Sequence, residues 1–196
     1  MPEDTQRLDA AKAAADEDRP TAAVFLLRQI EREGKLSDFG RFLLADCLRI
    51  IGRCTEAMAI FRELLEDHVP EEKKWGVYLR IGMIHAERGE LADAELAYRM
   101  AVKLRGETTV TWIYLSTILT RMERFEEACA ILSEAIAREG DKDEAYLNLA
   151  YAMRALERLE DARTALQAAL KINPDYDEAY AALRDVEDAI RLRKGR

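Results

Sequence analysis

Apolar residues recur along this chain at helical spacing, and a longer period is laid over that spacing. Five alanines, Ala23, Ala57, Ala94, Ala128 and Ala162, stand 34, 37, 34 and 34 residues apart. Four residues after each comes a large apolar side chain (Leu27, Phe61, Tyr98, Leu132, Leu166), and seven after it Ile30, Leu64, Ala101, Ala135 or Ala169. Spacing of i, i+4 and i+7 gathers these on one face of a helix. Twelve residues ahead of each alanine lies a second column, Ala11, Ala45, Gly82, Ser116 and Ala150, in which every member is small. The residues one place earlier (Ala10, Leu44, Ile81, Leu115, Leu149) and three later (Ala14, Leu48, His85, Leu119, Met153) complete one face of another helix. Each period therefore predicts two amphipathic helices. The small residues sit where two backbones must approach closely enough for side chains to interlock.

This pattern resembles the tetratricopeptide repeat, a 34-residue helix-turn-helix unit with an aromatic at position 4, Leu at 7, a small residue at 8, Ala at 20 and 27, an aromatic at 24 and Pro at 32. Residues 143–176 fit well, with Tyr146, Leu149, Ala150, Ala162, Leu166, Ala169 and Pro174. Residues 109–142 supply Trp112, Leu115, Ser116, Ala128, Leu132 and Ala135, with Gly140 in place of the proline. Residues 75–108 supply Tyr78, Ile81, Gly82, Ala94, Tyr98, Ala101 and Gly106. The repeats at 38–74 and 4–37 are weaker, with Arg41 and Arg7 at position 4. The resemblance implies an all-α fold, a right-handed α-solenoid superhelix of antiparallel helix pairs, as one domain over residues 1–196.

The 37-residue step places three extra residues around Asp67, His68, Val69, Pro70, Glu71, Glu72, Lys73 and Lys74. Pro70 stops a helix and the charges favour solvent, so a longer surface connection and a bend in the stack are expected there. After Pro174, a further helix over 177–194 carries Tyr180, Leu183, Val186 and Ile190 on one side and Arg184, Asp185, Asp188 and Arg191 on the other. That pattern closes a solenoid, its apolar side covering the last repeat. Four Pro and nine Gly in 196 residues suit a chain that needs only short turns, and they argue against a sandwich, a barrel or a Gly-rich nucleotide fold.

Charge narrows the partners. There are 38 acidic against 30 basic residues, a net charge of −8 spread along the chain, which disfavours nucleic acid. The basic end at Arg191, Arg193, Lys194 and Arg196 reads as a solubilising tail. Apolar stretches such as Ala22 to Leu27 fall far short of a membrane span, and Met1, Pro2, Glu3, Asp4 do not open a signal peptide. A soluble cytoplasmic protein without a membrane partner is expected. Three cysteines do not form a disulfide framework; Cys47 and Cys129 fall in helical patterns as small buried hydrophobes, and Cys54 lies near a turn. With only His68 and His85 to complement them at no recognised spacing, no metal is expected.

Nothing in the pattern points to catalysis or a cofactor. There is no phosphate-binding glycine loop, nucleophile elbow or His-Glu-x-x-His. His85 falls in a helix-packing column and reads as a core histidine, and paired carboxylates such as Glu126 and Glu127 read as a solvated face.

The resemblance implies that the first helix of each pair lines a concave groove through its positions 2, 5, 9, 12 and 13. Position 5 holds Leu8, Phe42, Leu79, Ile113 and Leu147; position 2 holds Thr5, Phe39, Gly76, Val110 and Glu144; position 9 holds Lys12, Asp46, Met83, Thr117 and Tyr151. Phe39, Phe42, Leu79, Met83, Val110, Ile113, Leu147 and Tyr151 would form an apolar stripe across four repeats, outside the columns that pack the pairs. Such a stripe marks a partner unless the molecule covers part of it. Asp46 and Thr117 lie on this side, with Arg49, Arg121 and Arg154 beside them; the arginines either meet acidic groups flanking a partner's anchor or pair with neighbours such as Asp46 and Glu87.

A carboxylate clamp for acidic chaperone tails is disfavoured, because position 5 is apolar throughout and position 9 never carries Asn. The expected function is a non-catalytic interaction module, a scaffold or adaptor holding a peptide or helix with apolar anchors. A homotypic assembly subunit, including a homodimer, and a chaperone-like or inhibitory regulator are the alternatives. The alanine-rich first helix, around residues 4–18, is expected to fray most readily.

Overall fold

A computed structural model of the chain describes residues 2–68, 70–105, 109–138, 140 and 142–195. Among the described residues there are eleven α-helices and no strand: α1 (Pro2–Asp16), α2 (Pro20–Arg32), α3 (Asp38–Ile50), α4 (Cys54–Glu63), α5 (Lys74–Glu87), α6 (Leu91–Leu104), α7 (Thr109–Arg121), α8 (Phe125–Ile136), α9 (Lys142–Ala155), α10 (Leu159–Ile172) and α11 (Asp177–Lys194). The fold is all-α and of the helix-pair solenoid class. The helices group into two compact units, residues 1–88 and 89–196, and the division falls between the two helices of the third sequence repeat.

In the N-terminal unit α1 pairs with α2 and α3 with α4; α2 packs on α3, α4 on α5, and the first helices α1, α3 and α5 lie side by side. In the C-terminal unit α7 pairs with α8 and α9 with α10; α6 packs on α7, α8 on α9, α10 on α11, and α7 lies beside α9. The columns read from the sequence are the core. All five column alanines are fully buried, and so are Leu27, Phe61, Leu132 and Leu166 four residues later. In the small-residue column Ala11, Ala45, Ser116 and Ala150 are buried, while Ala10 beside it is exposed where the other repeats bury Leu or Ile.

Where position 4 lacks an aromatic, an ion pair replaces it. Arg7 donates to Glu33 at 2.7 Å, and Arg41 pairs with Glu63. Trp112 keeps the aromatic role and lies under the Arg138 guanidinium, 4.4 Å from the ring centroid.

The turn inside each helix pair has a common geometry that the hydrophobic pattern does not show. Asp18, Gly52, Gly89, Glu123 and Glu157 occupy the same repeat position, and each has positive φ, between 56° and 80°. Glycine adopts this left-handed backbone without penalty, whereas the three acidic residues carry a Cβ in a disfavoured region. The residue that follows caps the second helix without a side-chain hydrogen bond to the backbone. Instead Arg53, Arg124 and Arg158 reach forward to Glu56, Glu127 and Asp161 in the first turn, at 2.6, 2.6 and 2.8 Å. Those carboxylates also suit the positive end of the helix dipole.

The three extra residues of the second repeat are taken up by a π-helical turn, Leu64–His68, at the end of α4 and a 3-10 turn, Glu71–Lys73, after the exposed Pro70. Val69 and Gly106 lie outside the described residues. The C-terminal helix corrects one expectation: α11 buries Ala179, Ala182, Val186 and Ile190, while Tyr180 is exposed and Leu183 half-buried. The small Ala179 and Ala182 are the residues that lie inward where α11 meets α10, which turns Tyr180 outward.

Candidate partner-binding face

In the N-terminal unit, the face formed by the first helices is centred on α3. Phe39, Phe42, Asp46, Arg49 and Ile50 are spaced i, i+3, i+7, i+10 and i+11, one side of a helix. Phe39 is 54% exposed and Ile50 53%, while Phe42 is half-buried. Ser37 caps α3, accepting a hydrogen bond from the Gly40 N–H at 3.2 Å, and so fixes where this face begins. The Phe42 ring meets Phe61 edge-on, with centroids 5.7 Å apart, and the Arg80 guanidinium of α5 lies 5.9 Å from the same ring. On α5, Gly76 lies against the Phe42 ring, where a Cβ would sit 3.8 Å away, in ordinary van der Waals contact.

Between the aromatic end and Ile50 the charges satisfy one another. Arg49 lies 3.0 Å from Asp46 and donates to Glu87 at 3.0 Å, and Arg80 Nε lies 2.8 Å from the other Asp46 oxygen. Arg49 thus takes the neighbour-pairing option open at the sequence level. Behind this face the Cys47 thiol is buried and pushed up to about 11, by desolvation first and Asp46 second, so it is a packing residue.

The corresponding face of the C-terminal unit buries its apolar residues at the position of Phe42. Ile113 and Leu147, at the position held by Phe42, are 5% and 2% exposed, and Leu79 in the other unit is 4% exposed. These three were expected in an open apolar stripe and are instead buried. Their first helices lie directly beside neighbours, α5 beside α3 and α7 beside α9, so position 5 packs within the molecule.

Val110, Met83 and Tyr151 are half-buried, and Thr117, Arg121 and Arg154 are exposed. α11 engages two of the expected residues. Tyr151 donates its hydroxyl to Glu178 at 2.9 Å, and Arg154 donates to Asp185 at 2.5 Å. Burial, then the bond to Glu178, pushes the Tyr151 phenol up to about 12. These residues and Ala181 line an open cavity of about 500 Å³.

Gly76 was expected on the groove side at position 2, whereas Ile50 and Arg80 were not singled out from sequence. Ile50 had a signal, its i+11 relation to Phe39; Arg80 had none, because its role depends on α5 lying across Phe42.

Two profiles described as Tetratricopeptide repeat match the chain, at residues 52–107 and 119–186. The chain is a tetratricopeptide-repeat protein. Repeats of this kind are protein–protein interaction modules. A tetratricopeptide-repeat protein from Parabacteroides merdae has a similar structure, with TM-score 0.75 and 14% identity over 95% of this chain and 73% of that one. MamA from Desulfovibrio magneticus has TM-score 0.73 and 12% identity over 90% of this chain and 98% of that one. The first repeat domain of Spaghetti (RPAP3), solved with an HSP90 peptide, has TM-score 0.57 and 23% identity over 64% of this chain and 98% of its own. At these identities the likeness concerns the fold.

In sequence, human cilia- and flagella-associated protein 70 is 33% identical over 86 residues, which is 44% of this tetratricopeptide-repeat chain and 8% of that relative. Among the described residues no helix is long and apolar enough to cross a membrane.

Proposed function

We propose that this chain is a non-catalytic interaction module that receives a segment of a partner protein on the α3 face of its N-terminal unit. The observation that carries this reading is the exposure of Phe39 and Ile50 beside the half-open Phe42 ring, on a face where charges are already paired. Exposed aromatic and aliphatic anchors within a polar surround are the composition of an interface centre. The peptide held by the Spaghetti (RPAP3) domain supports reading a repeat surface as a peptide seat. The repeat register continues through Arg88 and Gly89 without insertion, which supports treating both compact units as stretches of one repeat domain.

A variant carrying Phe39→Ser and Ile50→Gln tests the reading, with Leu96→Ser, at an exposed residue of α6, as control. In quantitative pull-downs from the native cell extract, proteins retained by the parent and the control should be depleted with the double variant. Equal recovery with all three chains would remove the α3 face as the binding surface.

A further inference from the structure

We infer that the outward side of α2 is a self-association surface, on which a second copy of this chain lays its own α2 antiparallel about a two-fold axis at Phe25. It involves a second helix of a pair and none of the residues assigned to the α3 face, so the two readings stand or fall separately. Three features carry it.

The first is an apolar knob beside a hollow. α2 buries Ala23, Val24, Leu27 and Ile30, and it packs on α1 and α3. Helical spacing turns Phe25 and Arg32 the other way. Phe25 is 63% exposed and borders an open cavity of about 750 Å³, whose walls include Pro20, Ala22 and Leu26. An isologous contact uses one patch twice, so that patch must supply both the projecting side chain and the space that receives it.

The second is a local loss of charge. The other second helices carry carboxylates in their first turn: Glu56 in α4, Asp93 in α6, Glu126 and Glu127 in α8, Glu160 and Asp161 in α10. α2 has none there, and Thr21, Ala22, Phe25 and Leu26 form an uncharged stretch. Apolar contact here therefore desolvates no ion.

The third is the placing of the charges around that stretch. Arg19 pairs with Glu17, and Arg28 pairs with Glu31 at 2.6 Å and with Glu56 at 2.9 Å. Among the described residues the exposed Asp18 and Arg32 have no ion-pair partner. They stand seven residues either side of Phe25: Arg32 is about 10 Å further along the helix axis, and Asp18 lines the same cavity at the turn. Antiparallel pairing centred on Phe25 sets Asp18 of each copy against Arg32 of the other, and Thr21 against Gln29. Parallel pairing would set like charges together, which selects the antiparallel arrangement. Leu96, in the same column on α6, is 65% exposed, but Gly89 and Lys103 stand seven residues either side of it and offer no such pair.

The test is sedimentation equilibrium of the full chain and of variants at exposed positions, with circular dichroism confirming that each is folded. The chain should form a dimer that Phe25→Ser weakens about tenfold or more and that Leu96→Ser leaves unchanged. Asp18→Lys and Arg32→Glu should each weaken it about tenfold, because each sets two like-charge contacts in the dimer. Mixed in equal amounts, those two variants should restore association as a heterodimer, since both contacts are then of opposite charge. Added salt should weaken the dimer of the parent chain.

A chain that stays monomeric up to about 1 mM would overturn the proposal, as would a dimer indifferent to Phe25→Ser. Failure of the two charge variants to associate when mixed would overturn the antiparallel pairing. A dimer lost with Phe39→Ser and Ile50→Gln but kept with Phe25→Ser would place the second copy on the α3 face and overturn the α2 surface. Loss of pull-down partners with the α3 variant would leave this inference untouched.

Discussion

The first-helix faces of the two units occupy the same register of the repeat and have opposite surfaces. Around α3, two large apolar side chains stand in solvent, and the neighbouring helix offers glycine at position 2 where α7 has valine. Around α7 and α9, Ile113 and Leu147, at the position of the half-buried Phe42, are buried, Val110 at the position of Phe39 is half-buried, and what faces out is Thr117, Arg121 and Arg154. An apolar residue at a groove position is therefore no evidence of an open groove. Whether it packs or protrudes depends on the size of the side chains that the adjacent helix sets beside it.

The largest effect should come from exchanging the buried member of this comparison for alanine. Leu147→Ala should destabilise the C-terminal unit by about 2–4 kcal/mol, through lost burial and the cavity left behind. Phe39→Ala should cost about 1 kcal/mol or less, because only about half of its surface is removed from water. Denaturant unfolding with hydrogen exchange resolved by helix measures both, and equal losses would break the contrast.

Turn substitutions come next. Glu123→Gly and Glu157→Gly should each stabilise by about 0.5–1 kcal/mol, by relieving left-handed backbone in a residue with a Cβ. Gly52→Ala in the N-terminal unit, at φ 80°, should cost about 1 kcal/mol. Thermal melts would show the opposite signs, and a destabilising Glu157→Gly would mean that its side chain outweighs its backbone.

A smaller effect, about 0.5–1 kcal/mol, is expected of Tyr151→Phe, which removes the hydrogen bond to Glu178. Because the folded phenol titrates near 12, above its ordinary value of 10, its contribution is complete below about pH 10 and is lost as pH rises towards 12. The phenylalanine variant should lack that part of the alkaline loss of stability.

The smallest effects lie in the exposed ion pairs. Arg7, then Lys35, holds the Glu33 carboxyl below its ordinary value of 4.5, and Arg124 does the same for Glu127. Their contribution is present above that value and is lost as pH falls through the lowered one. Glu33→Gln and Glu127→Gln should each flatten the acid limb slightly, a shift that added salt reduces in both units.

Much of this was legible in the residues. The alanine column located the second helices, the small column located the close approach of paired helices, and both are buried where the register put them. The position-15 turns were not legible from apolar spacing, because the left-handed conformation is set by local backbone geometry and is filled here by Gly, Asp and Glu alike. The burial of three residues of the expected stripe was not legible either, since Leu79, Ile113 and Leu147 look in sequence like Phe42. Arg80 gave no signal at all, since its place over the Phe42 ring comes from a helix that starts some thirty residues later.

What the sequence determined by itself is the repeat: the number and register of helices and the inward face of each. Those follow from a periodicity of 3.6 within helices and 34 between pairs, local properties that burial enforces wherever the chain folds. Only the tertiary structure decided which groove positions remain open. That depends on the distance between first helices that are not consecutive in the chain, and so on the sizes of side chains from different repeats meeting at one place. At the α3 face, glycine at position 2 of α5 sets no side chain against the Phe42 ring, and Asp46, Arg49 and Arg80 pair between Phe39 and Ile50.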